Sequence, residues 1–509
     1  MHACALPAID ADLPGLLKHL QRHFAAGDDA GLAATLADTD PERITRATTL
    51  VGALCIGGAA FALKLVSSQY PALGDDECTG AVLEAFSQVV DPPQDAAPDH
   101  EQQIAQWLVD SFELQAPASS LLDIVRADFL IDRAPLQELP QAVNVAMQHE
   151  QWELALRGLT RVKTGLQAGT PRRIYGLASL CLHRLGRYEQ ANQWVRDGLS
   201  DEQKQLLHIP AVQTEDALLR RWGADAKPVV SIVCTTYNHE RYIDSTIRGF
   251  LSQDCPFPFE ILIHDDASTD RTQDVIRQWQ QRYPKLIKPV LQTVNQKSQG
   301  VRPFELLLAK ACGDFVATCE GDDFWVDPAK LRRQVGYLIE HPDVSCSAHN
   351  YYHFVESTLV VKPWRRAGPD FFISPRQLMG LQFLLWLPTL VFRKTFSALP
   401  PERALAAFGD QFLTSYLGTM GRCIYFNTML GAVRRENEFS TWSPLPEREK
   451  ERRRVKTWVA MLRMHERLGQ QQAVDDLMAK IKASSLDARL KTSLLDDSTP
   501  SQSSTLVAA

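Results

Sequence analysis

The sequence predicts an all-α region followed by an α/β domain built on a mostly parallel sheet, and three observations predict it. The first ~140 residues carry helix-length apolar periodicity with very little strand-like alternation. Between about 141 and 205 a helical pattern repeats. From Lys227 onward, short β-rich runs alternate with helical segments, the order that yields parallel strands with helices on both faces. At 509 residues the chain exceeds what one hydrophobic core organises, and at roughly 100–200 residues per domain about two to four units are expected.

Within the first region the most hydrophobic run, 50–63, is only 14 residues long, contains three glycines and ends at Lys64. A membrane span needs about 20 apolar residues, so this run is expected to be a small-residue-rich buried helix. A second apolar patch, 378–392, is interrupted by Pro388, and no membrane span is expected. Breaks at Asp91-Pro92-Pro93 and Ala97-Pro98-Asp99 separate the helical pieces. In the repeat, Gln151-Trp152-Glu153-Leu154-Ala155 returns as Arg187-Tyr188-Glu189-Gln190-Ala191, with the aromatics 36 positions apart. That spacing is close to the 34-residue period of tetratricopeptide helix pairs, which this segment resembles, and such arrays present a concave surface to a partner.

The α/β region opens with the run 229–234, followed by the turn-like Thr235-Thr236-Tyr237-Asn238-His239 and a helix over about 242–253. A second strand, 259–264, ends in Asp265-Asp266-Ala267-Ser268-Thr269-Asp270, and a helix follows over about 272–282. A third strand, 315–319, ends in Glu320-Gly321-Asp322-Asp323-Phe324-Trp325. One long helix is expected over about 447–483, and a Ser/Thr-rich, disordered tail after it.

Composition narrows the function classes. Hydrophobic residues make up 45% and charged residues 23%, which excludes wholesale disorder. Lys and Arg number 54 against 61 Asp and Glu, a formal charge of -7, which argues against a nucleic-acid binder. The ten cysteines form no C-x-x-C pair, so structural zinc is not expected. The N-terminus has neither the basic start nor the apolar stretch of a signal peptide, and a cytoplasmic protein with reduced thiols is expected.

Ligands of open parallel sheets bind at the carboxyl ends of the strands. Here those ends are polar: Tyr237 can stack on a base, and Asp265-Asp266 can accept hydrogen bonds, although Asp265, Ser268 and Asp270 are equally good helix caps. Glu320, Asp322 and Asp323 place three carboxylates within four residues, a repulsion that a divalent cation bound with a diphosphate would relieve. His264, His349 and His353 are expected to be structural. The first strand is followed by Thr-Thr-Tyr-Asn-His rather than G-x-G-x-x-G, which excludes a dinucleotide-binding oxidoreductase. A non-catalytic helical-repeat scaffold is the other class of reading.

From Val230 to Asn238, from Asp265 to Asp270, and from Glu320 to Trp325 with Pro328 and Lys330-Leu331 behind it, the chain resembles the family 2 glycosyltransferases of GT-A fold. The resemblance covers 227–445 as a GT-A domain, and the patterns outside it give 1–140 (helical), 141–222 (tetratricopeptide-like repeats), 446–490 (C-terminal helices) and 491–509 (tail). The resemblance implies an inverting transfer from a UDP-sugar to an acceptor hydroxyl; the helical repeat points to an acceptor protein, such as a surface or flagellar protein, with a surface polysaccharide or lipopolysaccharide as the alternative. Thr235, Tyr237 and Asp266 would surround the uracil. Asp322 would take the ribose or the metal shell, Asp323 would ligate Mn²⁺ or Mg²⁺, and Glu320 would lie nearer the donor sugar. Asp410, in Gly409-Asp410-Gln411, would be the general base. Where near members have Tyr-Arg-x-His this chain reads Val433-Arg434-Arg435-Glu436, which keeps Arg434 for the diphosphate and leaves the histidine's contact unfilled.

Overall fold

The computed structural model describes residues 13–37, 39, 50–51, 53–54, 62–66, 118–133, 135–223, 225–437 and 445–496. Its Cα packing divides the chain into two units, Met1–Asp197 and Gly198–Ala509. Among the described residues the first unit's helices include α1 (Leu13–Ala25), α2 (Asp29–Ala37), α3 (Ala118–Arg133), α4 (Leu139–Gln148), α5 (Trp152–Leu166), α6 (Arg172–Arg184) and α7 (Tyr188–Gly198). The run 50–63 is described only at residues 50, 51, 53, 54, 62 and 63, all helical, and the breaks at 91–93 and 97–99 lie outside the described residues.

The sequence repeat is a repeat of turns. Glu150 and Gly186, 36 positions apart, both take positive φ, 57° and 70°. In each turn the next N–H closes back over the helix end: Gln151 N donates to Ala146 O and Arg187 N to Leu182 O, both at 2.8 Å. This is the left-handed closure that ends a helix while satisfying its last carbonyls. Trp152 and Tyr188 then begin the following helices. Small residues on facing sides (Ala142, Ala146, Ala155, Ala178) let the helices approach around Leu154, Leu159 and Leu182. Two ion pairs join residues 34 positions apart, Arg187–Glu153 at 3.1 Å and Lys163–Asp197 at 3.0 Å.

The second unit is organised by one sheet in the order β3-β2-β1-β4-β9-β6-β10-β5, with β7 on β6 and β8 on β10. The strands are β1 (Val230–Thr236), β2 (Phe259–Asp265), β3 (Ile287–Leu291), β4 (Phe315–Glu320), β5 (Phe324–Trp325), β6 (Val344–Val355), β7 (Val360–Pro363), β8 (Phe371–Ile373), β9 (Val391–Arg393) and β10 (Arg422–Glu436). The first four are mutually parallel; past β4 the sheet is mixed, with β9 antiparallel to β4 and β6 and with β10 parallel to β6. Alternate residues feed opposite faces. Val230, Ile232, Cys234, Ile261, Ile263 and Ala317 enter one core, whereas Val233, Leu262 and Val316 enter the other.

The helices of this unit are α8 (Asp201–Leu206), α9 (Glu215–Trp222), α10 (Ile243–Leu251), α11 (Thr272–Arg282), α12 (Pro303–Lys310), α13 (Lys330–Glu340), α14 (Pro375–Met379), α15 (Gly409–Gly418), α16 (Glu447–Arg467), α17 (Gln471–Ala483) and α18 (Ala488–Asp496). Ile247 and Phe250 of α10, Ile276 of α11 and Val335 of α13 cover the first face; Leu307 of α12, Leu378 of α14 and Leu413 of α15 cover the second. The helix expected over 447–483 is two helices, because Gly469 turns left-handed (φ +69°) and Gln470 N donates to His465 O at 2.8 Å. The tail beyond 496 lies outside the described residues. Among the described residues no helix is long and apolar enough to cross a membrane.

Candidate functional site

The carboxyl ends of β1, β2 and β4 meet because their register is fixed: Thr235 pairs with His264 on one side and with Glu320 on the other. The first two loops are laced together by short polar side chains. Asn238, held at φ 55°, donates its N–H to Ser268 Oγ at 2.8 Å and accepts from Thr269 N at 2.8 Å. His239 N donates to Thr272 Oγ1 at 2.9 Å, and Glu240 N to Asp270 Oδ2 at 3.0 Å. Asp265 is spent inside its own loop, accepting from Ser268 N at 2.9 Å, from the Ser268 hydroxyl and from Gln273 Nε2 at 2.7 Å.

Asp266 is buried, and its two oxygens accept from Gln296 N at 2.6 Å and Lys297 N at 3.1 Å. The carboxylate expected at the uracil therefore also anchors the segment after β3, a use the sequence pattern did not reveal. Tyr237 stands 42% exposed with no aromatic or hydrogen-bond partner for its ring among the described residues, so its face is open for stacking.

At the end of β4 the chain turns through Gly321, whose N–H donates to Thr235 O at 3.0 Å. A Cβ there would lie 2.5 Å from Thr236 Oγ1 and 2.9 Å from His239 Nδ1, so only glycine allows the acidic loop to lie this close to β1. The two aspartates after it diverge. Asp323 is 2% exposed, points inward, and accepts Arg435 N at 2.8 Å. Asp322 keeps 23% of its side chain open, with Asn437 Nδ2 at 3.3 Å and His239 Nε2 at 4.0 Å. An inward carboxylate held by a backbone N–H turns fewer lone pairs to the cleft, so the geometry gives the outward position to Asp322 rather than to Asp323.

Behind the loop is a buried charge network. Glu356, at the end of β6, takes Arg241 at 3.2 Å, the Tyr242 hydroxyl at 3.1 Å and Arg435 at 3.8 Å. Arg435 also donates to Asp322 O at 3.3 Å and lies 4.6 Å over the Phe324 ring. Glu356, Arg241 and Tyr242 were not identified from sequence. Glu356 lies 114 positions from Tyr242, and no local motif announces such a pairing.

Asp410, at the start of α15, and Arg434, near the end of β10, complete the site. Burial raises the Asp410 carboxyl above the usual range, opposed by the N–H of Gln411 (2.8 Å from Oδ1) and by Arg434 and Arg403. Glu320 keeps a solvent-accessible side chain at the end of β4, yet its carboxyl is pushed up to about 7. Desolvation is the main cause, the Asp322 and Asp410 carboxylates add to it, and Arg434 and Lys297 oppose it. Burial, then Asp322 and Glu320, push Asp323 well up. Glu320, Asp322, Asp323, Asp410 and Arg434 thus act on one another electrostatically, with Thr235 in register beside them. The Arg434 guanidinium lies 4.3 Å over the Trp386 ring and makes no ion pair among the described residues. His264 and His349 are buried, and burial lowers the pKa of both.

Among the described residues no group of three or more His, Cys, Asp or Glu side chains is arranged to hold a metal ion. Mg²⁺ and Mn²⁺ are commonly held by one or two carboxylates plus substrate phosphates, and outward Asp322 beside Glu320 fits that donor set.

Glu320 and Asp322 at the end of β4, Asp410 at the start of α15 and Arg434 on β10 thus form one cluster on this sheet. Residues 231–399 match Glycosyl transferase family 2. An uncharacterised protein of Mycobacterium bovis is 45% identical over 121 residues, 24% of this chain and 34% of that protein. A putative teichuronic acid biosynthesis glycosyltransferase, TuaG, of Bacillus subtilis is 33% identical over 114 residues, 22% of this chain and 43% of that protein. The chain thus spans about a third of the mycobacterial relative's length. A structure of Staphylococcus aureus TarS (1–349) with UDP-GlcNAc superposes at a TM-score of 0.36 and 19% identity, over 53% of this chain and 70% of that one.

Proposed function

We propose that the second unit transfers a sugar from a UDP-sugar to an acceptor hydroxyl by a single inverting displacement, assisted by Mn²⁺ or Mg²⁺. The observation that carries this reading is Asp410, a carboxyl raised by burial and set within the field of Arg434 and Glu320 at the strand ends. Asp410 takes the proton from the acceptor hydroxyl as its oxygen bonds to the anomeric carbon, while the bond from that carbon to the diphosphate breaks and UDP departs. Arg434, without a competing ion pair, faces the charge gathering on the diphosphate. Tyr237 stacks on the uracil, and Asp266, held by Gln296 and Lys297, stands beside it with Thr235. Asp322, with Glu320, would hold the cation, which when bound neutralises diphosphate charge. Asp323 shapes the loop from behind.

For the acceptor, the names of two relatives point to polymers: TuaG to teichuronic acid, and TarS to poly(ribitol-phosphate) as a β-N-acetylglucosaminyltransferase. A polypeptide acceptor rests only on the helical pairs of the first unit, read as tetratricopeptide-like, whereas a saccharide acceptor has an observation on the second unit itself, developed below.

The test is UDP-sugar hydrolysis with and without Mn²⁺ for the wild type and Asp410→Asn. A positioned base supplies about 10²–10⁴ in rate, so the variant should lose that much while binding UDP normally. Asn and Asp cap helices about equally well, so near-normal turnover would make Asp410 a structural residue and leave Glu320 as the base. Absence of wild-type hydrolysis with every UDP-sugar tried, with or without Mn²⁺, would refute the reading.

A further inference from the structure

An open cleft of about 480 Å³ on the second unit is lined by Trp364, Arg365, Arg366, Phe371 and Asn427. The proposed chemistry uses none of these residues, yet the cleft is firmly built. Trp364 N donates to Tyr351 O at 2.8 Å. Buried Asn350 clamps the next residue from both sides, accepting Arg365 N at 3.1 Å and donating to Arg365 O at 2.9 Å. Asn427 donates to Arg366 O at 3.2 Å. Three successive residues are therefore held by hydrogen bonds from the strands beneath.

What this frame presents is chemically specific. Trp364 is 46% exposed, with its indole backed by Tyr351, stacked at 5.6 Å and 14°. Asn427 is only 8% exposed, and its Oδ1 is buried with no hydrogen-bond partner. Neither Arg365 nor Arg366 makes an ion pair among the described residues, and the Arg365 guanidinium is held 5.0 Å over the Phe383 ring and 5.6 Å over Phe371. The cleft connects to the transfer site through rings: Trp364 meets Trp386 edge-on at 6.1 Å, and Arg434 lies over Trp386 at 4.3 Å.

We propose that this cleft is the acceptor subsite and that it takes a negatively charged sugar chain; the inference rests on the transferase reading and names its acceptor class. A sugar ring has a flat face of C–H groups that packs on an exposed indole. Arginines without ion pairs match a carboxylate or phosphate. An exposed indole and two such arginines lining one cleft ask for ring and anion together, a combination poly-glutamate lacks.

The experiment is calorimetric titration of the full chain with four probes of matched length: an oligogalacturonate, a phosphodiester-linked hexose oligomer, a neutral dextran and poly-glutamate. At least one acidic sugar oligomer should bind about tenfold or more tighter than dextran, weakening as salt rises, and the tighter of the two tells carboxylate from phosphate. Trp364→Ala should weaken that binding about tenfold or more, as loss of a central aromatic anchor does. Arg365→Gln with Arg366→Gln should erase the preference for acidic over neutral chains. Both variants should hydrolyse UDP-sugar at the wild-type rate and keep a single cooperative melting transition. The proposal falls if neither acidic sugar oligomer outbinds dextran, if poly-glutamate binds as tightly, or if the variants bind as the wild type does. Missing wild-type hydrolysis would count against the transferase reading instead, since the binding arms do not depend on turnover.

Discussion

Glu356 is the residue whose removal tests the architecture of the acidic loop most directly. Its buried carboxylate is 3.2 Å from Arg241 and 3.8 Å from Arg435, and it accepts the Tyr242 hydroxyl at 3.1 Å. At an effective dielectric of about 20, pairs at these separations are worth roughly 4–5 kcal/mol each before desolvation. Deleting one member of a buried pair leaves the other uncompensated, and such deletions cost about 3–5 kcal/mol. Glu356→Ala strands two guanidinium groups, so the upper end of that range applies. For a unit of this size about 2–4 °C is lost per kcal/mol, and the melting transition of the second unit should fall by roughly 10–20 °C in differential scanning calorimetry. Arg435 also holds Asp322 O and Asp323 Oδ1. Metal-dependent UDP affinity should therefore drop about 10–100-fold, the usual effect of removing support behind a metal ligand. Glu356→Gln, which keeps an acceptor for the Tyr242 hydroxyl, should fall between the two. A Glu356→Ala protein melting within about 2 °C of wild type would refute the claim that these charges depend on one another.

Two further substitutions probe single atoms. Gly321→Ala places a methyl 2.5 Å from Thr236 Oγ1 and 2.7 Å from its Cβ; it should cost about 1–3 kcal/mol by urea unfolding and weaken UDP binding, and an unchanged midpoint would mean the loop yields freely. His465 is buried with Nε2 2.7 Å from Ser415 Oγ, and burial lowers its pKa to about 4. The folded state resists protonation that the unfolded chain accepts, so this residue's contribution is intact above about pH 6.5 and is lost as pH falls toward 4, by up to about 3 kcal/mol. Wild-type stability should fall over that window more steeply than that of His465→Gln, and parallel pH–stability curves would show that His465 is not the sensor.

How much of this was legible in the sequence follows from how far each feature reaches along the chain. Buried parallel strands are continuous apolar runs, so β1, β2 and β4 could be placed from composition alone, and α11 matches its expected bounds. Asp410 and Arg434 were named only through the family resemblance, whereas Glu320, Asp322 and Asp323 were visible because they crowd a strand end. Their inward or outward direction was not: Asp322 and Asp323 are neighbours, and only Arg435, 112 positions beyond Asp323, draws the second one inside. Asp266 reads as a free carboxylate until the segment at 296–297 folds over it. Gly469 split a helix because a lone glycine in a periodic stretch signals either tolerance or termination, and the pattern on both sides is helical.

Strand β10 has a consequence for anyone building chimeras from such domains. It carries Asn427 of the cleft, Arg434 over Trp386, and Arg435 behind the acidic loop, all within one 15-residue strand. Between Asn427 and Arg434 its pairing with β6 shifts register twice. Because a slip of one residue exchanges the two faces of a strand, a crossover between 422 and 436 that changes the residue count would invert one end relative to the other. Recombination that swaps one binding face while keeping the transfer machinery therefore has to cut outside this strand and move it whole. In such a shuffled library, acceptor choice and donor handling would be inherited as a single linked trait.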